Sequence, residues 1–306
     1  MTMVDNKLVP PAWMSIRMLV VGMAVAVLVS LTASSQALAE EHHPTGDFAV
    51  FADCPLGNPL TKTCIYSQTQ SGEVTIGKKT VPISRTITLQ GGIHRNLETE
   101  IQEFIAAEDG NTLSTTPEPV PGGLAGLVNC NEISEPVARL ACELVFQNGL
   151  TGVNATTELA KPASSIGINT SHLLEEEGVA LSLPVKIHLE NPLLGSECYI
   201  GSSASPVTLN LTDGSTSPPP PNKPIKGKVG TLEFKDETNF LEVTENTLVD
   251  NAFSAPAASG CGGLLASVID PVVDAQLGLP AAAGTNTAIQ NNTIRDANAG
   301  AVRSSE

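Results

Sequence analysis

The chain has 306 residues, with 16 basic against 32 acidic side chains and a formal net charge of −16. That balance excludes partners that present phosphate backbones or anionic membrane surfaces, so no nucleic acid is expected. Only one Trp and two Tyr are present, and Trp13 falls in the segment read below as removed. The aromatic platforms common in sugar-binding sites are therefore nearly absent, and the core must be built from Val, Leu, Ile and Ala.

Residues 1–39 read as a signal peptide. Lys7 and Arg17 give a weakly basic start, and residues 18–31 are a continuous apolar run with one Gly and one Ser. Ala37-Leu38-Ala39 then supplies small residues where signal peptidase reads, so cleavage is expected after Ala39. The competing reading is an uncleaved anchor, but the run is short for a span of about 20 residues. No twin Arg precedes it and no Cys stands at the cleavage point. A secreted or cell-surface chain follows, with membrane contact only through the signal peptide. Residues 40–46 form a flexible polar tail. Cleavage after Ala39 would begin the chain with Glu40, Glu41 and His42. A free amine, two amides and a third-position imidazole make a candidate Cu(II)/Ni(II) site, since square-planar nitrogen ligation suits those ions.

Residues 47–280 read as a single β-rich domain. Phe48 to Phe51 predict a short strand, and residues 64–66, 74–76 and 81–89 further strands, the last ended by Gly91-Gly92. Arg85 breaks its apolar face, which places it at a strand end or against a carboxylate. Leu97, Ile101, Phe104 and Ile105 recur at helical spacing, so residues 96–109 predict a helix stopped by Gly110. Residues 134–148 predict a second helix, capped by Ser134 with Pro136 in its first turn. Residues 150–177 are weakly patterned.

The clearest periodicity follows. Val179, Leu181, Leu183, Val185, Ile187 and Leu189 alternate with polar or small residues, and Val207, Leu209 and Leu211 repeat the pattern. Period two puts each set on one face of a strand, and the two runs read as a hairpin around which the chain is organised. Pro184 cannot donate to a ladder, so an edge or bulge is expected there. Residues 212–224 read as a Pro-rich exposed connection, and residues 231–234 and 239–243 as short strands. The apolar stretch 264–277 is helical in spacing, split at Asp270-Pro271 with Asp270 capping the second piece. Residues 281–306 read as a low-complexity, largely disordered tail with room for one strand at 288–294.

All six cysteines follow the signal, and the number is even. In an oxidising compartment this reads as three disulfides, although six cysteines allow fifteen pairings. Cys54 with Cys64 and Cys130 with Cys142 are close in sequence, which leaves Cys198 with Cys261. Zinc is the alternative, and no CxxC spacing supports it.

Catalytic signatures are absent: no GxSxG, HExxH, Walker loop or GxGxxG before a helix. The histidines are His42, His43, His94, His172 and His188. His188 stands beside Glu190 on the polar face of its strand, where a catalytic base or a solvent-facing histidine fits equally. Asp236-Glu237 and Glu175-Glu176-Glu177 could pair for glycoside hydrolysis, but acidic runs in an acidic chain read as solvated faces. Sequons stand at Asn154, Asn169, Asn210 and Asn291.

Several phrases occur together: FADCP at 51–55, the 81–92 strand ending ITLQGG, ECYIGS at 197–202, the Pro-rich 217–224 and GCGG at 260–263. Together they resemble a group of uncharacterised exported proteins of actinobacteria. The resemblance covers most of the mature chain and implies export and a bacterial envelope setting. It carries no catalytic residue to transfer. The expectation is a mainly β fold with attached helices, an antiparallel β-sandwich or open barrel, disulfide-stapled. The expected role is a non-enzymatic module for an apolar ligand or an unknown protein, without cofactor. The alternative is a secreted hydrolase with an unrecognised site.

Overall fold

The long run Thr63–Ile76 is the strand on which one half of the molecule is laid. The computed structural model describes residues 43–96, 98–99, 101–126, 134–137, 139–140, 152–235 and 239–306, all within one compact unit, Ala39–Glu306. Among the described residues there are fourteen strands. They are β1 Thr63–Ile76, β2 Lys79–Ile83, β3 Ile87–Arg95, β4 Gln102–Ala106, β5 Pro117–Pro119, β6 Asn154–Leu159 and β7 Gly167–Ile168. β8 Leu181–Glu190, β9 Tyr199–Ile200, β10 Val207–Leu211, β11 Thr231–Lys235, β12 Phe240–Asp250, β13 Ala258–Ser259 and β14 Thr287–Asn298 follow. The main path runs β11-β12-β14-β1-β3-β4-β7-β8-β6-β5, with β10 on β8 and β2 on β1. The sheet does not close on itself. The expected class therefore holds: an open antiparallel architecture with few helices, stapled among the described residues by two disulfides.

The central hairpin forms as its periodicity requires. Val185 faces Val207, Leu183 faces Leu209 and Leu181 faces Leu211, so both apolar rows share one face. Pro184 is accommodated without a lost ladder bond. Its carbonyl accepts from Ala160, and in an antiparallel strand the nitrogen faces the same side as the carbonyl. That side is where β8 exchanges β7, paired up to Ser182, for β6, paired from Val185.

Several expectations are corrected. Residues 48–51 lie in a 3-10 helix, Gly46–Phe51, rather than a strand. The 96–109 stretch holds β4 instead of a helix. Phe104, counted there as one stripe of a helix, is buried against the neighbouring strand, opposite Ile93. Gly91-Gly92 does not end β3, which continues through both to Arg95. A Cβ on Gly91 would lie 2.4 Å from the Ile105 carbonyl oxygen and 2.7 Å from the Phe104 ring. Glycine there lets β4 approach. Of the 134–148 helix residues 134–137 and 139–140 are described; 136–137 and 139–140 are helical and 134–135 are not, and the rest lies outside the described residues.

The 264–277 segment is one helix, Ala266–Leu277, with Pro271 inside it. Asp270 does not cap a second piece. Its carboxylate accepts from the Gly260 and Cys261 N–H groups at 3.1 and 2.7 Å, pinning the chain at the disulfide. The 212–224 connection is built into the fold: Asp213 is fully buried, and Asn222 donates to the carbonyls of Asn251 and Asn286.

The largest correction is the expected tail. Residues 287–298 form β14, which pairs with β1 on one side and β12 on the other. Its Ala, Asn and Thr content read as disorder, but those amides and hydroxyls are used. Asn286 accepts from Gly77 N–H and donates to the Phe253 and Ala282 carbonyls. Asn298 caps the final helix, Ala299–Ser304, by accepting from Gly300 and Ala301.

Candidate functional site

The inner row of β8 is the wall of an apolar cleft. Leu183, Val185 and Leu189 are at most 5 % exposed, and β10 extends the wall with Val207 and Leu209. Val81, Ile83, Ile87 and Leu89 of β2 and β3 stand opposite, and the space between them is a cavity of about 120 Å³. Strand alternation alone produces both walls, because every second residue of each strand faces inward.

The polar groups on this lining are largely consumed by one another. Thr69 Oγ1 donates to Asn292 Oδ1 at 2.7 Å, and Asn292 Nδ2 donates to Asn246 Oδ1 at 3.3 Å. Asn246 Nδ2 in turn donates to the Lys228 and Val229 carbonyls, both at 3.1 Å. Glu118 accepts from the Ser84 N–H, the Ser84 hydroxyl and the Arg85 N–H at 3.0, 2.6 and 2.7 Å. Arg85 thus lies just past the end of β2, its backbone held by a carboxylate and its guanidinium donating to the Pro117 carbonyl. Lys79 donates to the Pro121 carbonyl at 3.1 Å. The Gln290 carboxamide and the Ser67 and Thr157 hydroxyls also line the cleft, and none of the three has a side-chain hydrogen bond among the described residues. The cleft therefore presents hydrocarbon with one amide and two hydroxyls.

A second hollow, of about 100 Å³, lies further along the same face of β14. Leu241, Val243 and Ile294 line it, with Leu173 and Leu174 of the helical turn His172–Glu175. Asp296 reaches into it, and burial pushes its carboxyl up to about 6. The Asn246–Asn292 pair stands between this hollow and the cleft, Asn292 on the lining of one and Asn246 on that of the other.

The outer face of β8 carries a charged cluster. Lys186 Nζ lies 2.9 Å from Glu158 and 4.0 Å from the centroid of the Tyr199 ring. His188 stacks on the same ring with centroids 4.5 Å apart. Its Nδ1 is 3.6 Å from both Glu158 and Glu190, beyond hydrogen-bonding reach, and its Nε2 is buried without a partner among the described residues. Burial pulls the Lys186 pKa down, but the Glu158 hydrogen bond and charge, with Tyr199, outweigh it and leave it raised. The hydroxyl of Thr156 donates to Glu190 at 2.7 Å and is not held by His188. The cluster is an ion-pair network, and it offers no activated nucleophile.

The other sequence candidates separate. Cys54–Cys64 and Cys198–Cys261 are both bonded, with Cα atoms 5.5 and 4.1 Å apart. The pair Cys130 and Cys142, the copper candidates Glu40, Glu41 and His42, and Asp236-Glu237 lie outside the described residues. His94 and His172 engage the carbonyls of Leu60 and Val179. Glu176 pairs with Lys226 at 2.5 Å and forms no acid/base couple with its neighbours. No group of three or more His, Cys, Asp or Glu able to hold a metal occurs among the described residues. No described helix is long and apolar enough to cross a membrane. Asp296 was not anticipated. The alternation Asn292, Ile294, Asp296 could have revealed it, had its stretch been read as a strand.

Comparison of the chain with protein-family models, with curated proteins and with solved structures finds no match in any of the three.

Proposed function

We propose that this chain is an exported binding protein that holds a small, uncharged, largely hydrocarbon molecule in the cleft between β8–β10 and β1–β3. The observation that carries this reading is the lining: apolar rows from five strands around about 120 Å³, with Thr69, Lys79, Glu118 and Asn292 already paired. Empty apolar cavities stay dry, and one of roughly 150 Å³ takes up benzene. The Gln290 amide adds one donor and one acceptor for orientation. Export is supported by the disulfides Cys54–Cys64 and Cys198–Cys261, which persist in oxidising compartments, and by the apolar run at 18–31 followed by Ala37-Leu38-Ala39.

The test is titration with benzene and with cyclohexane, followed by thermal unfolding and by methyl NMR. Saturation to a hundred times Kd stabilises the folded state by about 2.7 kcal/mol. Methyl shifts are expected at Val185, Leu183 and Leu209. Ala155→Leu, which fills the cavity from β6, should abolish both effects. Unchanged melting with either probe, or equal stabilisation in the Ala155→Leu protein, would refute the reading.

A further inference from the structure

We propose that the hollow beneath Asp296 is a separate binding site for a small organic ammonium ion with a short hydrocarbon tail. The register of three strands builds it. Asp296 of β14 lies directly between Ile65 of β1 and Leu241 of β12, and directly opposed residues share a face. The next row places Val243 beside Ile294. Leu173 and Leu174 close the space from the far side. The result is a hydrocarbon-walled space of about 100 Å³ with a carboxyl group in one wall.

That carboxyl has no hydrogen-bond or ion-pair partner among the described residues. The nearest cation in sequence, Arg295, points to the opposite face, where it donates to Glu242 at 2.6 Å. Lys235 is bound to the same Glu242 at 3.0 Å. The other polar groups of the hollow are occupied. Asn246 spends its amide on two backbone carbonyls and its oxygen on Asn292. Thr170 accepts from Gln102 at 2.9 Å. His172, at the start of the turn, is engaged with the Val179 carbonyl. Burial is the sole cause of the raised Asp296 pKa, so no neighbouring charge compensates it.

An ionised carboxylate in such surroundings is costly unless something pairs with it. The complementary group is a compact cation with hydrogen-bond donors. A primary ammonium has three donors, and its alkyl tail would lie along Leu241, Val243 and Ile294. The volume selects a tail smaller than a benzene ring. A long-chain amine would not fit. With a pKa near 6, the carboxyl is charged at pH 8, where simple amines are still protonated.

The experiment titrates the full chain at pH 8 with n-butylammonium chloride and, in parallel, with n-butanol, reading methyl NMR shifts. Shifts at Leu241, Val243 and Ile294 are expected, with the ammonium at least tenfold tighter than the alcohol. Asp296→Asn should bring the two affinities together. Val243→Phe keeps the carboxyl, fills the hollow and should abolish both. Equal affinity for the two probes in the unsubstituted protein overturns the proposal. So does undiminished ammonium binding by Asp296→Asn, or a set of shifts confined to Val185 and Leu209 of the cleft.

Discussion

At Asn292, β14 passes its amide to Thr69 on one side and to Asn246 on the other. Four residues further along the same face, Asp296 sits between Ile65 and Leu241, and neither can answer a carboxyl. The first arrangement is architecture: a polar residue on an inner face whose cross-strand neighbours satisfy it. The second leaves a carboxyl raised by burial alone, with no partner among the described residues.

The two disulfides among the described residues also stand in different surroundings. Cys198 and Cys261 belong to the large core that contains the inner row of β8. Cys54 and Cys64 belong to a small cluster with Phe51, Phe240 and Ala297. In that cluster Phe240 packs edge-on against Phe48 and Phe51. The bonds span sequence separations of 63 and 10 residues. Loop-closure entropy puts the loss at about 4 kcal/mol for replacing Cys198 and Cys261 together by Ala, against about 3 for Cys54 and Cys64. Urea midpoints measure both. A larger loss from the Cys54/Cys64 pair would make the Asp296 end the more dependent on its staple and reverse the comparison.

The carboxyl itself gives the next effect. Its folded pKa is about 6, above the ~3.9 of an unfolded aspartate. Between those values the folded state binds more protons than the unfolded one, so stability falls as pH rises. The contribution is fully present below about pH 4 and lost through pH 6, amounting to about 3 kcal/mol. Asp53, Asp213, Asp250 and Asp274 are also raised by burial, so the measurement is the difference between proteins. Asp296→Asn should have a flatter stability profile from pH 4 to 8 and be the more stable protein at pH 8. An unchanged profile would mean that Asp296 is already compensated.

Asn292→Ala probes the settled end. It leaves the Thr69 hydroxyl and the Asn246 carbonyl oxygen without their partner and should cost about 2 kcal/mol. Neither group titrates, so the cost should be the same at pH 5 and pH 8 in chemical denaturation. A pH-dependent loss would tie the amide chain to Asp296 and merge the two hollows into one site.

What could be read from the sequence follows from how far apart the partners lie. The β8–β10 hairpin declares itself because ten residues alternate without interruption and the return strand is close by. One wall of the cleft was legible for that reason. The opposite wall was legible in part, since Val81, Ile83, Ile87 and Leu89 alternate too, but its join to the rest depends on β14 meeting β1, as in Thr69 with Asn292, 223 residues apart, and no local pattern announces that pairing. β4 was misread because four apolar residues happened to recur at helical spacing, while the glycines that admit Phe104 lie in another strand. Asp296 was one acid among 32 acidic residues, and only its cross-strand neighbours set it apart.

β14 follows the other thirteen strands in the chain, yet it stands between β1 and β12. A ribosome releases the chain from its N-terminal end at about 5–20 residues per second. Thr69 therefore waits on the order of 10 to 45 seconds for Asn292 to be made. Until residue 287 has emerged, β1 keeps one flank of backbone donors and acceptors open and β12 lacks the strand that joins it to the rest. The nascent polypeptide cannot lock early into a finished sheet, because the strand that seats β1 against β12 is the last to be made.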